Sequence, residues 1–395
     1  MKVGVFLEDF SPAVGGGYTI QADVFRSLSD LGGETGHTFT VLCRRPDEIS
    51  AQLNSSLQAV AFPGALPDRL RSKVTRSLTR LQSRGSMQNR LEQIAHQEGI
   101  EFIWFVGAEA IQVDLPYCAI VWDLQHRLQP WFPETSGRGE WCHRENFYSQ
   151  FLRRAALVIT GTVAGQDEVE KFYGVPADRI KILPHPTPRF ALEADSDVRI
   201  DVRARFNLSN NYLLYPAQFW PHKNHANLLL ALARLRDEHN LTLDLVLTGA
   251  DKGNQSHIRQ LADQLTLSQQ VRFVGFVSPA ELIALYREAF ALTYVSFFGP
   301  ENLPPLEAFA LGCPVIAAEV SGASEQLGEA AILVNPQDER QIAVVIKKLY
   351  DRPAERAALV DRGYKRAQLH TADDFVRGVF SFFDQFENIR RCWAF

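Results

Sequence analysis

Three prolines fall within five residues at Leu183-Pro184-His185-Pro186-Thr187-Pro188. Proline fixes its own φ and removes a backbone donor, so neither a helix nor a central strand continues through this stretch. The same rhythm lies on both sides of it. Ahead of the break, strands are predicted at Lys2–Leu7, Phe39–Cys43, Phe102–Val106, Ala119–Trp122 and Leu157–Thr160, with a helix at Ile20–Leu31. Beyond it, strands are predicted at Tyr212–Tyr215, Thr242–Leu247, Val271–Val274, Ala291–Tyr294 and Pro314–Ala317. Helices fall between them at Ala226–His239, Asn254–Leu265, Pro279–Ala289 and Pro304–Leu311. Alternation of this kind implies an α/β protein with two doubly wound, Rossmann-like parallel sheets, each covered by helices on both faces.

With 395 residues, the chain fits two domains of about 150–200 residues better than one core. We divide it into residues 1–186, 187–371 and a closing segment 372–395. The last contains a helix, Asp373–Asn388, whose aromatic face is Phe375, Val379, Phe382 or Phe383, and Phe386. Doubly wound units place their ligand crevices at the carboxyl ends of their strands. Two such crevices facing one another would put the site between the domains.

Hydrophobic residues make up 46% of the chain and 26 are Phe, which supports packed cores and excludes a disordered chain. The 41 basic and 46 acidic residues give no general case for nucleic-acid binding. The five cysteines (Cys43, Cys118, Cys142, Cys313 and Cys392) form no CxxC pair and read as reduced thiols of an intracellular protein. Met1–Asp9 reads as a first buried strand and not a signal peptide, because Glu8 and Asp9 stop the apolar run. No apolar stretch approaches the roughly 20 residues that cross a bilayer. A cytoplasmic protein, at most peripheral on the inner membrane face, is therefore expected.

The most informative segment is Phe298-Gly299-Pro300-Glu301-Asn302-Leu303-Pro304-Pro305-Leu306-Glu307, followed by Ala308–Pro314. It reads as strand, loop, helix and stop: Asn302 is predicted to cap the helix, and Gly312 with Pro314 ends it. Backbone N–H groups at a helix start attract an anion. Local physics alone equally allows an ordinary capped helix with a solvated Glu307. The segment resembles the signature of family-four retaining glycosyltransferases with the GT-B fold, E-x-F-G-L-P-x-L-E-A and a Gly-x-Pro stop. Within that family it is closest in kind to the mannosyl- and rhamnosyltransferase-like group of polysaccharide and O-antigen assembly.

The resemblance implies that the Asn302 and Leu303 backbone holds the donor diphosphate and that Glu307 holds the ribose. The first Glu of the pattern falls on Gly299, so donor-sugar contacts are assigned to Gly299, Pro300 and Glu301, with Glu301 as a substitute acid. Tyr215–His225 is similar to G-R-x-x-x-x-K-[GN], whose Arg and Lys clamp the pyrophosphate. Lys223 and Asn224 match, while Gln218 replaces the Arg. The loop Pro12-Ala13-Val14-Gly15-Gly16-Gly17-Tyr18 resembles the family's P-x-x-G-G turn, which adds Gly15, Gly16 and Gly17 to the phosphate contacts. Similarity at Val271–Val277 assigns the base to Gly275, Phe276 and Val277, and Ser321–Glu325 and Ala330–Pro336 extend the likeness. His37 is read as structural.

Ala119–Arg127 lies where the family carries His-Asp-Leu; here Trp122 takes the His position. Asp123 and His126 are the candidates on the reacting side, beside Lys223; Asp123 is equally readable as a helix cap and His126 as a loop histidine. The resemblance implies transfer of a hexose or deoxyhexose, mannose-like, from a GDP-, UDP- or dTDP-sugar to a glycan or lipid-linked glycan, with no metal or other cofactor. A GT-B epimerase or phosphorylase, and a sugar-nucleotide-binding protein without turnover, are the alternatives. Residues 68–84 form a basic amphipathic segment that suits either an anionic membrane surface or a core-packed helix with solvated arginines.

Overall fold

A computed structural model of the chain describes residues 1–7, 16–46, 49, 57–62, 76–108, 110–195, 200–208 and 211–393, the side chains of 76–86 excepted. Gly15 and residues 68–75 of the basic segment 68–84 lie outside the described residues, and 76–84 open the helix Arg76–Glu98. Thirteen strands among them form two sheets. The first runs in the order β3-β2-β1-β4-β5-β6-β7, with β1 Lys2–Phe6, β2 Thr38–Cys43, β3 Leu57–Ala61, β4 Phe102–Phe105, β5 Tyr117–Ile120, β6 Leu157–Thr160 and β7 Ile180–Ile182. The second runs β10-β9-β8-β11-β12-β13, with β8 Tyr212–Pro216, β9 Asp244–Thr248, β10 Val271–Gly275, β11 Ala291–Tyr294, β12 Val315–Ala318 and β13 Ala331–Val334.

Every strand pairing is parallel. Strands covered on both faces need continuous apolar runs, and all four residues of β4 (Phe-Ile-Trp-Phe) and of β11 (Ala-Leu-Thr-Tyr) are buried. The strand order reverses between β1 and β4 and again between β8 and β11. At those switch points the loops after the strands splay apart and leave a crevice.

Three strands escaped the sequence reading: β3, β7 and β13. β7 has three residues, too few for periodicity to register, and β3 is partly exposed along its length. The predicted strand at Ala119–Trp122 instead begins at Tyr117, whose hydroxyl donates to the Phe151 carbonyl at 2.5 Å. The first helix starts earlier than predicted, at Gly16.

Between the sheets, residues 183–188 carry no regular element. The Thr187 N–H donates to the His370 carbonyl at 3.0 Å, so the outgoing and returning crossings lie side by side. Arg189 still belongs to the first sheet's surroundings: its N–H meets Asp23 at 2.9 Å and its guanidinium meets Asp373 at 2.6 Å.

The closing helix, Ala372–Arg390, is capped by Thr371 and Asp374 in a reciprocal box. It docks on the first domain. Phe380 stacks on Phe39 with centroids 5.3 Å apart, and Phe383 sits edge-on to Phe102 and Trp104 at 5.4 and 6.0 Å. Phe383 is fully buried, whereas Phe382 is only partly so, which settles the alternative left by the sequence. Burying such a ring contributes about 1.5–3 kcal/mol. The Met1 ammonium with Glu387 and Arg390 with Glu101 close the edges. Among the described residues, no helix is long and apolar enough to cross a membrane.

Candidate active site

The crevice of the second domain is built on two loops that hold each other. After β8, the backbone is pinned to the β9 loop by the Phe219 N–H on the Ala250 carbonyl, 3.0 Å. Asn224 takes a left-handed conformation, φ 57°, and donates its carboxamide to the carbonyls of Val295 and Pro336 at 2.8 and 2.7 Å. Tyr215 donates to the Lys223 carbonyl, and the Phe297 N–H donates to that of His222. Lys223 is thereby aimed at the end of β11, where its ammonium donates to the Tyr294 hydroxyl at 2.9 Å and lies 5.2 Å from the ring centre. Gln218 turns its carboxamide to the Trp220 indole at 3.0 Å. The Lys252 ammonium lies 5.6 Å from that ring, bringing a second cation to this loop although the Arg of the motif is missing.

β11 leads to helix Leu303–Ala310. Asn302 does not cap it as expected: its carboxamide donates backwards to the Gly299 carbonyl at 2.9 Å. Gly299 permits this because its φ is 133° and a Cβ there would lie 2.5 Å from the Asn302 carboxamide. The Asn302 N–H, assigned to phosphate, donates instead to Gln326 at 3.0 Å. Since Pro304 and Pro305 have no N–H, Leu303 supplies the one first-turn donor of this helix. Facing it across the crevice is Gly16, at the start of helix Gly16–Leu31. A Cβ on Gly16 would lie 3.4 Å from the Leu303 side chain. Gly16 therefore meets the second domain at that opening turn, and Gly17 follows it in the first turn of the helix.

Glu307, one turn further on, is buried and accepts from the Tyr286 hydroxyl at 2.6 Å. Burial pushes its carboxyl up to about 7, with the tyrosine bond only partly opposing the shift. Gly275 ends β10 with φ 72°, and the next residue, Phe276, leaves 74% of its surface exposed, a flat apolar face at the crevice rim.

Glu301 turns toward the first domain, where it meets the linker at His185 and the end of β6 at Gly161. It accepts from the His185 N–H at 2.7 Å, and its other oxygen lies 3.6 Å from the His185 ring. Burial raises its carboxyl above the usual range, against the pull of His185. The approach needs Gly161, where a Cβ would fall 1.3 Å from Glu301 Oε2. A hinge cavity of about 110 Å³ opens here, lined in part by Glu301, His185, Arg366 and His370. Pro300 packs instead on the turn at Gly322.

On the first domain, Asp123 is partly buried. Burial alone would raise its carboxyl, but the Arg144 guanidinium at 2.5 Å and the Gln125 N–H at 2.9 Å outweigh it and hold it below the usual value. His126 is not in the crevice. It is 0% exposed, stacks on Tyr148, and places Nε2 3.0 Å from the Tyr173 hydroxyl and 3.4 Å from Glu145. Burial, with Arg144 nearby, pushes it down to about 4, so it is neutral at ordinary pH. Its polar ring was legible; the pocket around it, assembled from residues up to 47 positions away, was not.

Sequence reading also passed over the contacts that join the domains. Glu134 accepts from the His222 N–H at 3.0 Å and faces its Nδ1 at 2.5 Å. Glu325 accepts from the Val163 and Ala164 N–H groups at 2.6 and 3.0 Å, a carboxylate on the positive end of helix Val163–Tyr173.

Residues 199–366 match the family described as Glycosyl transferases group 1. The O-antigen chain mannosyltransferase B of Escherichia coli is 27% identical over 242 residues, 60% of this chain and 62% of that protein. RfbU, an O-antigen chain mannosyltransferase of Salmonella typhimurium, is 28% identical over 214 residues, 53% of this chain and 56% of its own length. The chain thus spans little more than half of these curated relatives. Among solved structures, HepE of Anabaena, crystallised with UDP, superposes over 98% of this chain and 100% of its own with a TM-score of 0.70 at 18% identity. The fold is GT-B, and residues 199–366 are similar to the group 1 glycosyl transferases.

Proposed function

We propose that the chain transfers a hexose or deoxyhexose, mannose-like, from a nucleotide diphosphate sugar to a hydroxyl of a glycan or lipid-linked glycan, with retained configuration and without a metal ion. One observation carries the reading: the Lys223 ammonium is fixed on Tyr294 at the end of β11, the strand that leads to Leu303 and the facing Gly16. As a glycosyl bond to phosphate breaks, positive charge grows on the anomeric carbon and negative charge on the departing diphosphate. A preplaced ammonium and the Leu303 N–H, at the positive end of a helix, oppose that negative charge without reorganising. Glu307 receives the ribose hydroxyls, and Phe276 offers its face to the base. The two relatives named as mannosyltransferases support the mannose-like sugar. Retention follows from the resemblance of 298–314 to the family-four signature. On this reading residues 1–186 hold the acceptor, 187–371 the donor, and 372–395 tie the halves together.

Asp123 and His126 leave the reacting set, the first because its charge is engaged by Arg144 and the second because it is enclosed. Thermal shifts against UDP-, GDP-, dTDP- and ADP-sugars test the donor, since a ligand of the folded state raises its melting temperature. Slow hydrolysis of the stabilising donor then tests turnover. No shift with any of the four would sink the proposal. Shift without hydrolysis favours the alternative of a binding protein, a reading supported by Gln326 occupying the Asn302 amide.

A lipid-linked acceptor would bring the chain to the inner membrane face through 68–84. Sedimentation with anionic vesicles at low salt, reversed by added salt, is the expected result.

A further inference from the structure

Between helices Gln125–Leu128 and Pro133–Ser136 of the first domain, a short segment reaches across to the second domain beside Lys223. The Gln129 carboxamide donates to the Phe297 carbonyl at 2.9 Å, and Glu134 Oε1 takes the His222 N–H. The Phe132 ring lies against both partners, 6.2 Å from the His222 ring and 5.8 Å from that of Phe297. The ring of Trp131, which is 68% exposed, lies 6.3 Å from that of Phe132.

Single exposed aromatics are common and need no explanation. This one has unusual company. Glu134 Oε2 and Gln129 Oε1 are both buried without a hydrogen-bond partner, and each belongs to a side chain whose other polar atom is engaged at the seam. Each of these oxygens keeps its lone pairs for a donor that the protein does not supply.

We infer that Gln129, Trp131 and Glu134 form the subsite for the acceptor, taking the terminal pyranose of a glycan. A pyranose has an apolar C–H face that matches an indole, and hydroxyls that donate to acceptor oxygens. The three groups supply both needs, and Phe132, His222 and Phe297 connect them to the loop that carries Lys223. The two oxygens are buried where the domains meet, so hydroxyls reach them once the Gln129–Phe297 and Glu134–His222 contacts have opened. The inference rests on the transferase reading and adds to it where the accepting sugar lies.

Saturation-transfer NMR on the full chain with a nucleoside diphosphate present tests it, using the methyl glycosides of mannose, rhamnose, glucose, galactose and N-acetylglucosamine. At least one should receive magnetisation from the wild-type protein. Trp131→Ala, a change at an exposed position that folding tolerates, should weaken that glycoside by about tenfold or more, and Trp131→Tyr should restore most of it. Nucleoside diphosphate affinity should stay the same in both variants. Equal glycoside affinity in Trp131→Ala, or no glycoside engaging the wild-type chain, would overturn the subsite. Donor hydrolysis without any acceptor keeps the two ideas apart: its presence upholds the transferase reading even if the subsite fails, and its absence removes that reading.

Discussion

Two carboxylates on opposite sides of the crevice have met opposite fates. Glu307, in the second domain, is buried against a neutral hydroxyl and is pushed up to about 7. Asp123, in the first, has a guanidinium at 2.5 Å and is held below its usual value. A buried acid with a neutral partner is left without a countercharge, whereas Asp123 already has one, with the Arg144 guanidinium and the Gln125 N–H both on its Oδ1. The same contrast separates Lys223, resting on a phenol, from His126, walled in by Tyr148, Tyr173 and Glu145. The second domain carries groups whose charge is available; the corresponding polar groups of the first are part of its scaffold.

The largest test of that contrast is Lys223→Ala. Loss of one preorganised charge contact typically costs about 2.7–4 kcal/mol of barrier, so turnover should fall by about 100-fold or more. Steady-state rates of donor consumption measure it. Near-native turnover would mean that the ammonium is structural, as the first domain's charges are, and the contrast would collapse.

Much of the fold was legible because parallel strands repeat the same apolar run, and β6 and β11 fall where the sequence places them. The short or half-exposed strands were not, because a three-residue β7 offers no period to detect. In the site, residue types were readable but partners were not. Asp123 looks identical in sequence whether or not Arg144, 21 positions on, turns toward it. Asn302 reads as a cap by its chemistry, and only the left-handed Gly299 three residues earlier redirects its carboxamide. Glu134 and His222 sit 88 residues apart and carry no signal of their pairing, although His222 lies inside a recognised motif.

Glu307→Gln comes next in size and should move stability and affinity in opposite directions. The folded-state value, about 7, lies above the ordinary glutamate value of 4.5, so the folded protein holds a proton that the unfolded chain releases. Stability from this group is complete below about pH 4.5 and is lost as pH rises through 7, in all about 3 kcal/mol. The glutamine variant does not titrate, so its melting temperature should exceed that of wild type at pH 8.5 and match it near pH 5. Nucleotide affinity should do the reverse, since ribose hydroxyls donate best to the ionised acid. Wild type should bind more tightly at pH 8.5 than at pH 6, and Glu307→Gln should bind weakly at both. Calorimetry showing a pH-independent wild-type affinity would remove the ribose role.

Gly161→Ala probes the hinge, where Glu301 belongs to neither class. The new methyl would occupy the site of Glu301 Oε2 and drive that side chain off His185. Overpacking of this kind costs about 1–3 kcal/mol, readable as a lower melting temperature. Gly161→Ala combined with Glu301→Ala should recover part of the loss. Equal loss in the double variant would show that the strain is local to the backbone and not a clash with the acid.

The smallest effect is expected from His126→Leu, and its smallness is the point. A catalytic histidine would impose an inflection on the rate near its titration, but this one is held down to about 4 and touches only first-domain residues. Tyr173 retains Glu145 at 3.2 Å when the imidazole is gone, so one hydrogen bond is lost, about 1 kcal/mol, and no buried partner is orphaned. Turnover should stay within about threefold and the pH–rate profile between 6 and 9 should keep its shape. A rate loss comparable to that of Lys223→Ala would require His126 to reach the crevice, and with it the first domain to rearrange when donor and acceptor are both bound.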